Sequence, residues 1–254
     1  MSDTLSADEL ASRFVAAHRS LTPIATAEVG VGPQAVDEAY AVQAGVMRAL
    51  GANGGFKTSR PDPKAPSVMA PIPAIHIRPS PAHFEASEMR LYGIEIEIAF
   101  RVDLELPAPG GADYDAKLKQ AVSAVAAIEM VDTRITDHDD ASALTKLSDN
   151  QFGFGLVVGQ PVAAFEDLNL IDPAITFEVD GNQIGPVDGK IPGDVDAYQV
   201  LKDFLAVVGD HCGGIRPGMY VTTGALSGLH WTTKGVDVRG SIAGLGDVAV
   251  TIGG

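Results

Sequence analysis

The chain is poor in cysteine and in long apolar segments, and each scarcity excludes a class of protein. Cys212 is the only cysteine among the 254 residues, so no disulfide can form within the chain and a secreted disulfide scaffold is excluded. No apolar run approaches the length of a membrane span. The acidic first ten residues lack the apolar segment of a secretion signal. The sequence therefore predicts a cytoplasmic protein with no membrane partner.

Positive charge and closely spaced histidines are also scarce. Lysine and arginine total 18 against 33 acidic residues, which gives a formal net charge of −15. Without a basic patch to offset phosphate repulsion, nucleic acid is excluded as a partner. None of the six histidines has another at helical ligand spacing, so the sequence does not predict a zinc site. An anionic substrate would need a local cation in so acidic a protein.

The order of local patterns indicates an α+β protein. A capping box at residues 6–9 opens a predicted helix that ends near Arg19, and a second helix should occupy residues 33–51. From Arg90 onward the alternation typical of strands dominates, with one late helix expected at residues 197–208. Many strands with few scattered helices favour α+β over alternating βαβ units.

The stretch from Leu91 to Phe100 has the alternation of a strand with two different faces. One face is apolar, and the other carries Glu95 and Glu97 between two small residues. Carboxylates this close repel each other unless a positive charge lies between them. A divalent cation with oxygen ligands would fit there. A half-buried strand with a solvated acidic face explains the pattern equally well.

A third carboxylate follows a segment with helical periodicity. Apolar residues within 115–128 recur at the spacing of a helix, and Glu129 lies in the short strand predicted after it. A glutamate inside an apolar segment is costly unless it is paired or bound to a metal. If the two strands are neighbours, Glu95, Glu97 and Glu129 could form a site for Mg²⁺ or Mn²⁺ with open coordination positions.

Two segments, 93–100 and 127–134, resemble the paired metal-binding segments of the 2-keto-4-pentenoate hydratase and 4-oxalocrotonate decarboxylase group, within the fumarylacetoacetate hydrolase superfamily. Five shorter motifs keep the order of that family along the chain, at residues 39–43, 55–57, 148–150, 218–224 and 242–250. The resemblance implies a small N-terminal helical α/β subdomain at residues 1–85, a mostly-β mixed β-roll catalytic domain at residues 86–254, and a homo-oligomer.

The resemblance also implies chemistry on a small-molecule 2-oxo acid. A cation there would polarise the C2 carbonyl and stabilise an enolate. The implied activity is a metal-dependent lyase: a hydratase of a 2-hydroxy-dienoate or 2-oxo-4-enoate, or a decarboxylase. An acylpyruvate-type C–C bond hydrolase is the alternative, and its His–Glu pair has its nearest counterpart in His83 with Glu85 or Glu88. A non-catalytic relative should have lost a metal ligand or the lysine, and neither is lost.

Four further residues are candidates for the reaction. Lys57, in the Gly-aromatic-Lys motif, is the candidate for proton transfer, and apolar neighbours together with a nearby metal should lower its pKa toward neutrality. On the sequence alone, a surface lysine is the alternative. Asp62 is a second candidate for catalysis. Thr223 is either a hydrogen-bond donor to the substrate or a structural strand-end residue. Asp149 is a candidate for substrate binding, although with Asn150 it could instead order the loop beneath the metal site.

The single tryptophan bears on assembly. Trp231 lies in the turn-rich segment 227–234, which carries little charge. Tryptophan is enriched at protein interfaces, because it buries a large area at small entropic cost. Two interpretations stay open, an interface between subunits and a side chain that covers its own barrel.

Overall fold

The computed structural model describes residues 5–59 and 66–254. Within these residues the helices are α1 Ala7–Ser20, α2 Thr26–Val29, α3 Val36–Leu50, α4 Tyr114–Ala121, α5 Ala143–Ser148 and α6 Ala197–Leu205. The strands are β1 Asn53–Ser59, β2 Val68–Pro73, β3 Ile77–Pro79, β4 Ala82–Phe84, β5 Tyr92–Val102, β6 Val122–Val131, β7 Gly153–Val158, β8 Ile175–Val179, β9 Asn182–Gln183, β10 Tyr220–Ala225, β11 His230–Thr232, β12 Val236–Ile242 and β13 Gly246–Ile252. The predicted α+β class is confirmed.

The strands form two mixed sheets rather than a closed barrel, within the part of the chain that the structure describes. The larger sheet has the order β2-β1-β10-β5-β6-β7-β3, with β11 also paired to β5. The smaller sheet has the order β4-β13-β12-β8-β9. Most neighbouring strands are antiparallel, whereas β1 runs parallel to β10, β3 to β7 and β4 to β13.

The main core lies between the two sheets. The apolar face of β5 contributes Ile94, Ile96 and Ile98, all fully buried. Across the interface, a Cβ placed on Gly240 of β12 would lie 2.7 Å from Ile96, so only glycine allows this approach of the two sheets. The carboxylates of β5 consequently lie on the opposite face, away from this core.

The N-terminal helices form a second apolar cluster. Leu10 and Phe14 of α1 pack with Val42 and Val46 of α3, and Ile135 from the later part of the chain joins them. The strands β1 and β2 that follow lie in the larger sheet, beside β10. The division into residues 1–85 and 86–254 stays a prediction. Among the described residues, no helix combines the length and the apolar character that a bilayer crossing requires.

The helix ends follow the local signals of the sequence with small differences. The capping box of α1 is formed, because Ser6 accepts from the Glu9 backbone and Glu9 accepts from the Ser6 backbone. Helix α3 begins at Val36 rather than at Pro33. Asp196 caps α6 as expected, but the helix ends at Leu205, three residues before the predicted end.

The prediction of a helix over residues 115–128 is wrong for the second half of that range. Helix α4 ends at Ala121, and residues 122–128 belong to the ten-residue strand β6. All ten residues of β6 are buried, since the strand has partners on both edges and apolar layers on both faces. A strand buried on both faces is apolar throughout, and its periodicity cannot distinguish it from a buried helix.

Candidate active site

Strand pairing brings the three predicted carboxylates together. Strands β5 and β6 are antiparallel, and Glu95 lies directly opposite Glu129, while Glu97 lies opposite Ala127. One oxygen atom from each of Glu95, Glu97 and Glu129 lies within 4.8 Å of the others. The alternation within β5 and the register of β6 therefore build one carboxylate cluster.

Burial makes this cluster electrostatically unfavourable without a cation. Glu129 is 0% exposed and Glu97 is 2% exposed. Burial raises the pKa of Glu95 to about 7, with Lys57 opposing and Glu129 adding to the shift. Burial, then the charges of Glu129 and Glu95, also raise the pKa of Glu97 well above its ordinary value. Three negative charges here need a compensating positive charge.

Lys57 supplies one such charge. Its Nζ lies 2.6 Å from Glu129 Oε1 and 4.0 Å from Glu95 Oε2. Burial lowers the pKa of Lys57, but the neighbouring carboxylates, Glu129 first, raise it by more, so the net shift is upward. Without a cation, opposite charge thus outweighs apolar burial. The expectation that the pKa of Lys57 falls toward neutrality concerns the site with its metal bound and stays a prediction.

A bulge in β10 shapes the site beside Glu97. The pairing of β10 with β5 shifts register between Thr222 and Ala225, and Gly224 adopts a φ of 116° in the bulge. This turns the Gly224 N–H toward Glu97 Oε2, to which it donates over 2.8 Å. Bulges of this kind re-aim groups next to functional sites, and here the bulge fixes one oxygen of a candidate ligand.

A left-handed turn holds Lys57 from the other side. Asn150, Gln151 and Phe152 have φ values of 51°, 49° and 64°, a conformation that ordinary residues rarely adopt in succession. The turn presents the Gln151 carbonyl oxygen to Lys57 Nζ, which donates to it over 3.1 Å. Strain of this sort persists only where surrounding contacts impose it.

Asp149 is the anchor of that turn. It is 2% exposed and pairs with Arg134, whose Nε and backbone N–H both donate to its carboxylate. Thr133 Oγ1 donates to the same carboxylate over 2.7 Å. Burial raises the pKa of Asp149, and the Arg134 charge opposes that shift. These contacts agree with the loop-ordering interpretation, and a role of Asp149 in substrate binding stays a prediction.

The remaining candidate residues differ in whether they line the cavity next to the carboxylates. Thr223 is 1% exposed and its Oγ1 donates to the Ile98 carbonyl, although the residue also lines the adjoining cavity. Asp62 lies outside the described residues. His83 and Glu85 pair at 3.1 Å on the surface, with side chains 51% and 66% exposed, and neither lines that cavity. The Glu88 carboxylate forms an ion pair with Arg78.

Sequence reasoning missed three groups that shape the site. The Gln151 carbonyl and the Gly224 N–H are backbone groups, which no pattern of side chains reveals. Arg134 gave a weak signal, because it stands five residues after Glu129 in the segment that resembles the metal-binding family. Its pairing with Asp149 depends on chain segments that meet only in the folded protein.

The donor set of the cluster fits a hard divalent cation. All the candidate ligands are carboxylate oxygens, which Mg²⁺ and Mn²⁺ prefer. Glu129 is fully buried, and its Oε2 has no hydrogen-bond partner among residues 5–59 and 66–254. Buried polar atoms are nearly always satisfied, so an unpartnered carboxylate oxygen indicates a missing ligand.

Comparison with known proteins gives a consistent picture. No sequence-family profile matches the chain. Over 160 residues it is 29% identical to 2-keto-4-pentenoate hydratase of Burkholderia vietnamiensis, a match that covers 62% of this chain and 59% of that enzyme. The structure superposes on 4-oxalocrotonate decarboxylase from Pseudomonas putida G7, complexed with magnesium and adipate, with a TM-score of 0.78, 18% identity and 96% of each chain covered.

A hydrolase is also structurally similar. Fumarylpyruvate hydrolase from Pseudomonas aeruginosa, in complex with Mn²⁺ and pyruvate, gives a TM-score of 0.55 at 21% identity, over 80% of this chain and 90% of that one. The chain thus has the fold that these structures share. It is similar to 2-keto-4-pentenoate hydratase in sequence and to 4-oxalocrotonate decarboxylase in structure, and the resemblance predicted from the sequence motifs is confirmed.

Proposed function

We propose that this chain is a divalent-metal-dependent lyase that acts on an unsaturated 2-oxo acid, either by adding water or by removing carbon dioxide. The observation that carries the proposal is the buried cluster of Glu95, Glu97 and Glu129 with Lys57 in direct contact. Burying such a cluster costs free energy, and buried ionisable clusters of this kind are concentrated at functional sites. The similar hydratase and decarboxylase supply the reaction class.

The carboxylates would hold Mg²⁺ or Mn²⁺. When bound, the cation polarises the C2 carbonyl of a 2-oxo acid and stabilises negative charge on the enolate oxygen. Glu97 keeps one oxygen in the Gly224 hydrogen bond, which fixes its orientation. Glu129, with no solvent access, keeps water away from one side of the site.

Lys57 acts as the proton donor to the carbon skeleton. Its Nζ lies 2.6 Å from Glu129 Oε1 and 4.0 Å from Glu95 Oε2, so the carboxylates on this side stabilise an ammonium that can give up a proton. Ketonisation of a dienol before hydration and protonation of the enolate after decarboxylation both require a proton delivered to carbon. The contacts to Glu129 and to the Gln151 carbonyl hold Nζ in one place.

Two observations favour a lyase over a C–C bond hydrolase. The superposition on the decarboxylase covers 96% of this chain, including the N-terminal helices, whereas that on the hydrolase covers 80%. The exposed pair of His83 and Glu85 does not line the cavity that opens on Glu95. The homo-oligomer and the cytoplasmic location predicted from the sequence remain proposals.

A substrate screen tests the reaction class. Unsaturated 2-oxo acids and acylpyruvates are incubated with the protein and Mg²⁺ or Mn²⁺, and loss of enol absorbance is followed together with release of carbon dioxide and of pyruvate. We expect metal-dependent turnover of an unsaturated 2-oxo acid without C–C hydrolysis. Turnover confined to acylpyruvates would establish the hydrolase instead, and no turnover with either cation would contradict the proposal.

The variant Glu97→Gln tests the metal site. It keeps the size of the side chain and removes one negative charge, so metal-dependent turnover should disappear while the circular dichroism spectrum stays unchanged. Calorimetric titration with Mn²⁺ should show weakened binding. Glu178→Gln on β8, in the other sheet, is the matched control and should behave like the parent protein. Full activity of Glu97→Gln, or activity in excess EDTA, would show that the site is wrong.

A further inference from the structure

The carboxylate cluster opens into a cavity of about 730 Å³. Glu95, Thr223 and Gly224 are among its lining residues, so the cavity gives access to the carboxylates. A 2-oxo acid head group occupies only a small part of such a volume. The rest of the cavity must receive whatever is attached to C3 of the substrate.

The wall beyond the carboxylates is apolar. Ile191, Val200 and Leu226 line it, and their exposures are 5%, 9% and 2%. Val200 comes from the apolar face of α6, whose Leu201 and Phe204 are buried in the core behind it. This wall therefore belongs to the packed body of the protein rather than to a surface side chain that could turn away.

Backbone hydrogen bonds hold the loop that completes this wall. The Lys190 N–H donates to the Leu226 carbonyl and the Gly189 N–H to the Pro173 carbonyl, both over 2.9 Å. The Ile175 N–H donates to the Val187 carbonyl over 2.7 Å. The shape of the cavity is thus formed before a ligand arrives, as is usual for small-molecule sites.

The charged side chains at the cavity do not suit a second carboxylate on the substrate. Among the described lining residues, Asp188 and Asp203 are acidic and Lys190 is basic. Lys190 Nζ lies 3.3 Å from Asp194 Oδ1, and both side chains are more than half exposed, at 55% and 70%. Within the part of the chain that the structure describes, the one lining cation is therefore paired at the solvent side of the loop. A distal carboxylate would lose its hydration against apolar groups, which is costly.

We infer that the site selects 2-oxo acids with an apolar tail over 2-oxo dicarboxylates, which within the proposed function favours water addition over decarboxylation, since decarboxylation needs a distal carboxylate to lose. The inference rests on the proposed function, since it takes the carboxylate cluster as the place where the 2-oxo acid head binds. The tail lies along Ile191, Val200 and Leu226, and the selection comes from burial of its methylene groups.

Three unreactive probes separate the binding of the 2-oxo acid head group from the binding of the tail. Pyruvate supplies the head alone, 2-oxohexanoate adds a three-carbon apolar tail, and 2-oxoadipate carries a carboxylate at the same chain length. Their dissociation constants are measured by calorimetry in saturating Mg²⁺. Each buried methylene is worth roughly fourfold in affinity, so 2-oxohexanoate should bind at least about tenfold more tightly than pyruvate, because its tail is partly buried. The affinity of 2-oxoadipate should not exceed that of pyruvate.

The outcomes distinguish this inference from the proposed function. No Mg²⁺-dependent binding of pyruvate would overturn both. Binding of pyruvate with no gain for 2-oxohexanoate, or with tighter binding of 2-oxoadipate, would overturn the tail selection and leave the proposed function standing.

Variants at Val200 test the wall itself. Val200→Lys places an ammonium at the cavity on a stem that can pack against the apolar wall, and 2-oxoadipate should then bind more tightly than 2-oxohexanoate. Val200→Ala, which is milder for folding, should reduce the advantage of 2-oxohexanoate over pyruvate. Val207→Lys is the control, since Val207 is 39% exposed and lies outside this cavity. An unchanged order of the three affinities in Val200→Lys, together with an undiminished advantage of 2-oxohexanoate in Val200→Ala, would contradict the inference.

Discussion

Lys57 and Glu129 make a short charged contact of 2.6 Å where little water reaches, since their side chains are 12% and 0% exposed. Removing one partner from such a pair leaves an uncompensated buried charge, which typically costs about 3–5 kcal/mol. A bound cation would compete with the ammonium for the same carboxylate. The residue proposed to donate the proton would therefore also affect the affinity of the proposed metal site.

Replacing Lys57 by methionine should separate these two effects. We expect kcat to fall by roughly 10²–10⁴, the usual scale for loss of a general acid or base. Affinity for Mn²⁺ should rise, because a competing positive charge is removed from the carboxylates. Steady-state kinetics and calorimetry measure the two quantities, with the exposed Lys234→Met as control. An unchanged kcat would assign the proton transfer elsewhere, with Asp62 the next candidate.

A buried imidazole gives the protein a pH-dependent stability. His76 is 7% exposed and packs against Phe154 with ring centroids 4.3 Å apart. Neither ring nitrogen has a hydrogen-bond partner among the described residues. Burial, with Arg78 and Arg134 adding and Glu88 opposing, lowers the pKa of His76 from 6.5 to about 4. The unfolded chain therefore binds a proton between these two pH values that the folded protein does not.

The contribution of His76 to stability should be fully present above pH 6.5 and lost as the pH falls toward 4. The loss is on the order of 3 kcal/mol for one imidazole. Urea unfolding between pH 7.5 and 4.5 measures it, and His76→Asn should show a shallower decline than the parent protein. A decline should remain in His76→Asn, because burial also lowers the pKa of His18, whose ring lies 5.5 Å from that of His76, to about 4. The exposed His83→Asn should keep the parent slope; equal slopes for parent and His76→Asn would contradict the assignment.

At the scale of elements, the site depends on where strands and turns end. The β10 bulge and the left-handed turn at residues 150–152 each aim one backbone group at a charged side chain. The turn is unfavourable in isolation, because three non-glycine residues have positive φ, and the Arg134–Asp149 pair holds it in place. The protein thus uses buried electrostatic contacts to hold a backbone carbonyl against Lys57.

Substitutions at Gln151 measure the strain of this turn. Its φ of 49° favours glycine, so Gln151→Gly should have a higher free energy of unfolding than Gln151→Ala, by about 1 kcal/mol. In an ordinary helix the order of the two variants is reversed. Both lose the hydrogen bond from Gln151 Nε2 to Ser59, so that contact cancels. Chemical denaturation decides, and an alanine variant as stable as the glycine variant would show that the turn carries no strain.

At the scale of the whole molecule, the exposed apolar residues around Trp231 bear on the assembly of several copies of the chain. Trp231 of β11 is 46% exposed, and a side chain at Gly93 beneath it would collide with its ring. Leu229 beside it is 39% exposed. The ring also lies 5.8 Å from that of His138. The indole is thus seated on the protein's own sheet while about half of its surface faces outward.

We expect a homo-oligomer in which Trp231 lies at the interface. Light scattering at micromolar concentration should give a multiple of 26.4 kDa, and raised salt should favour the assembly by screening the net charge of −15. Trp231→Lys should lower the mass, whereas Ile75→Lys, which changes another exposed apolar residue, should not. A mass near 26.4 kDa at every salt concentration would rule the oligomer out.

Features set by neighbours along the chain could be predicted from the sequence alone. The shared face of Glu95 and Glu97 follows from the two-residue period of a strand, whatever the strand pairs with. The capping box at Ser6 and the positive φ values of Asp180 and Gly181 in the hairpin turn follow from local hydrogen bonding and sterics. The α+β class follows from the sum of such local patterns.

Features set by partners distant in sequence could not be predicted in this way. Residues 122–128 are a strand because β5 pairs along all of them and β7 pairs with residues 127 and 128 on the other edge, although their own pattern is helical. Lys57 gains a raised pKa only because β1 joins the sheet beside β10 and brings the ammonium to Glu129. Covalent geometry determined which side chains share a face, and strand pairing, together with the loss of water on burial, decided which of them meet and what charge they carry.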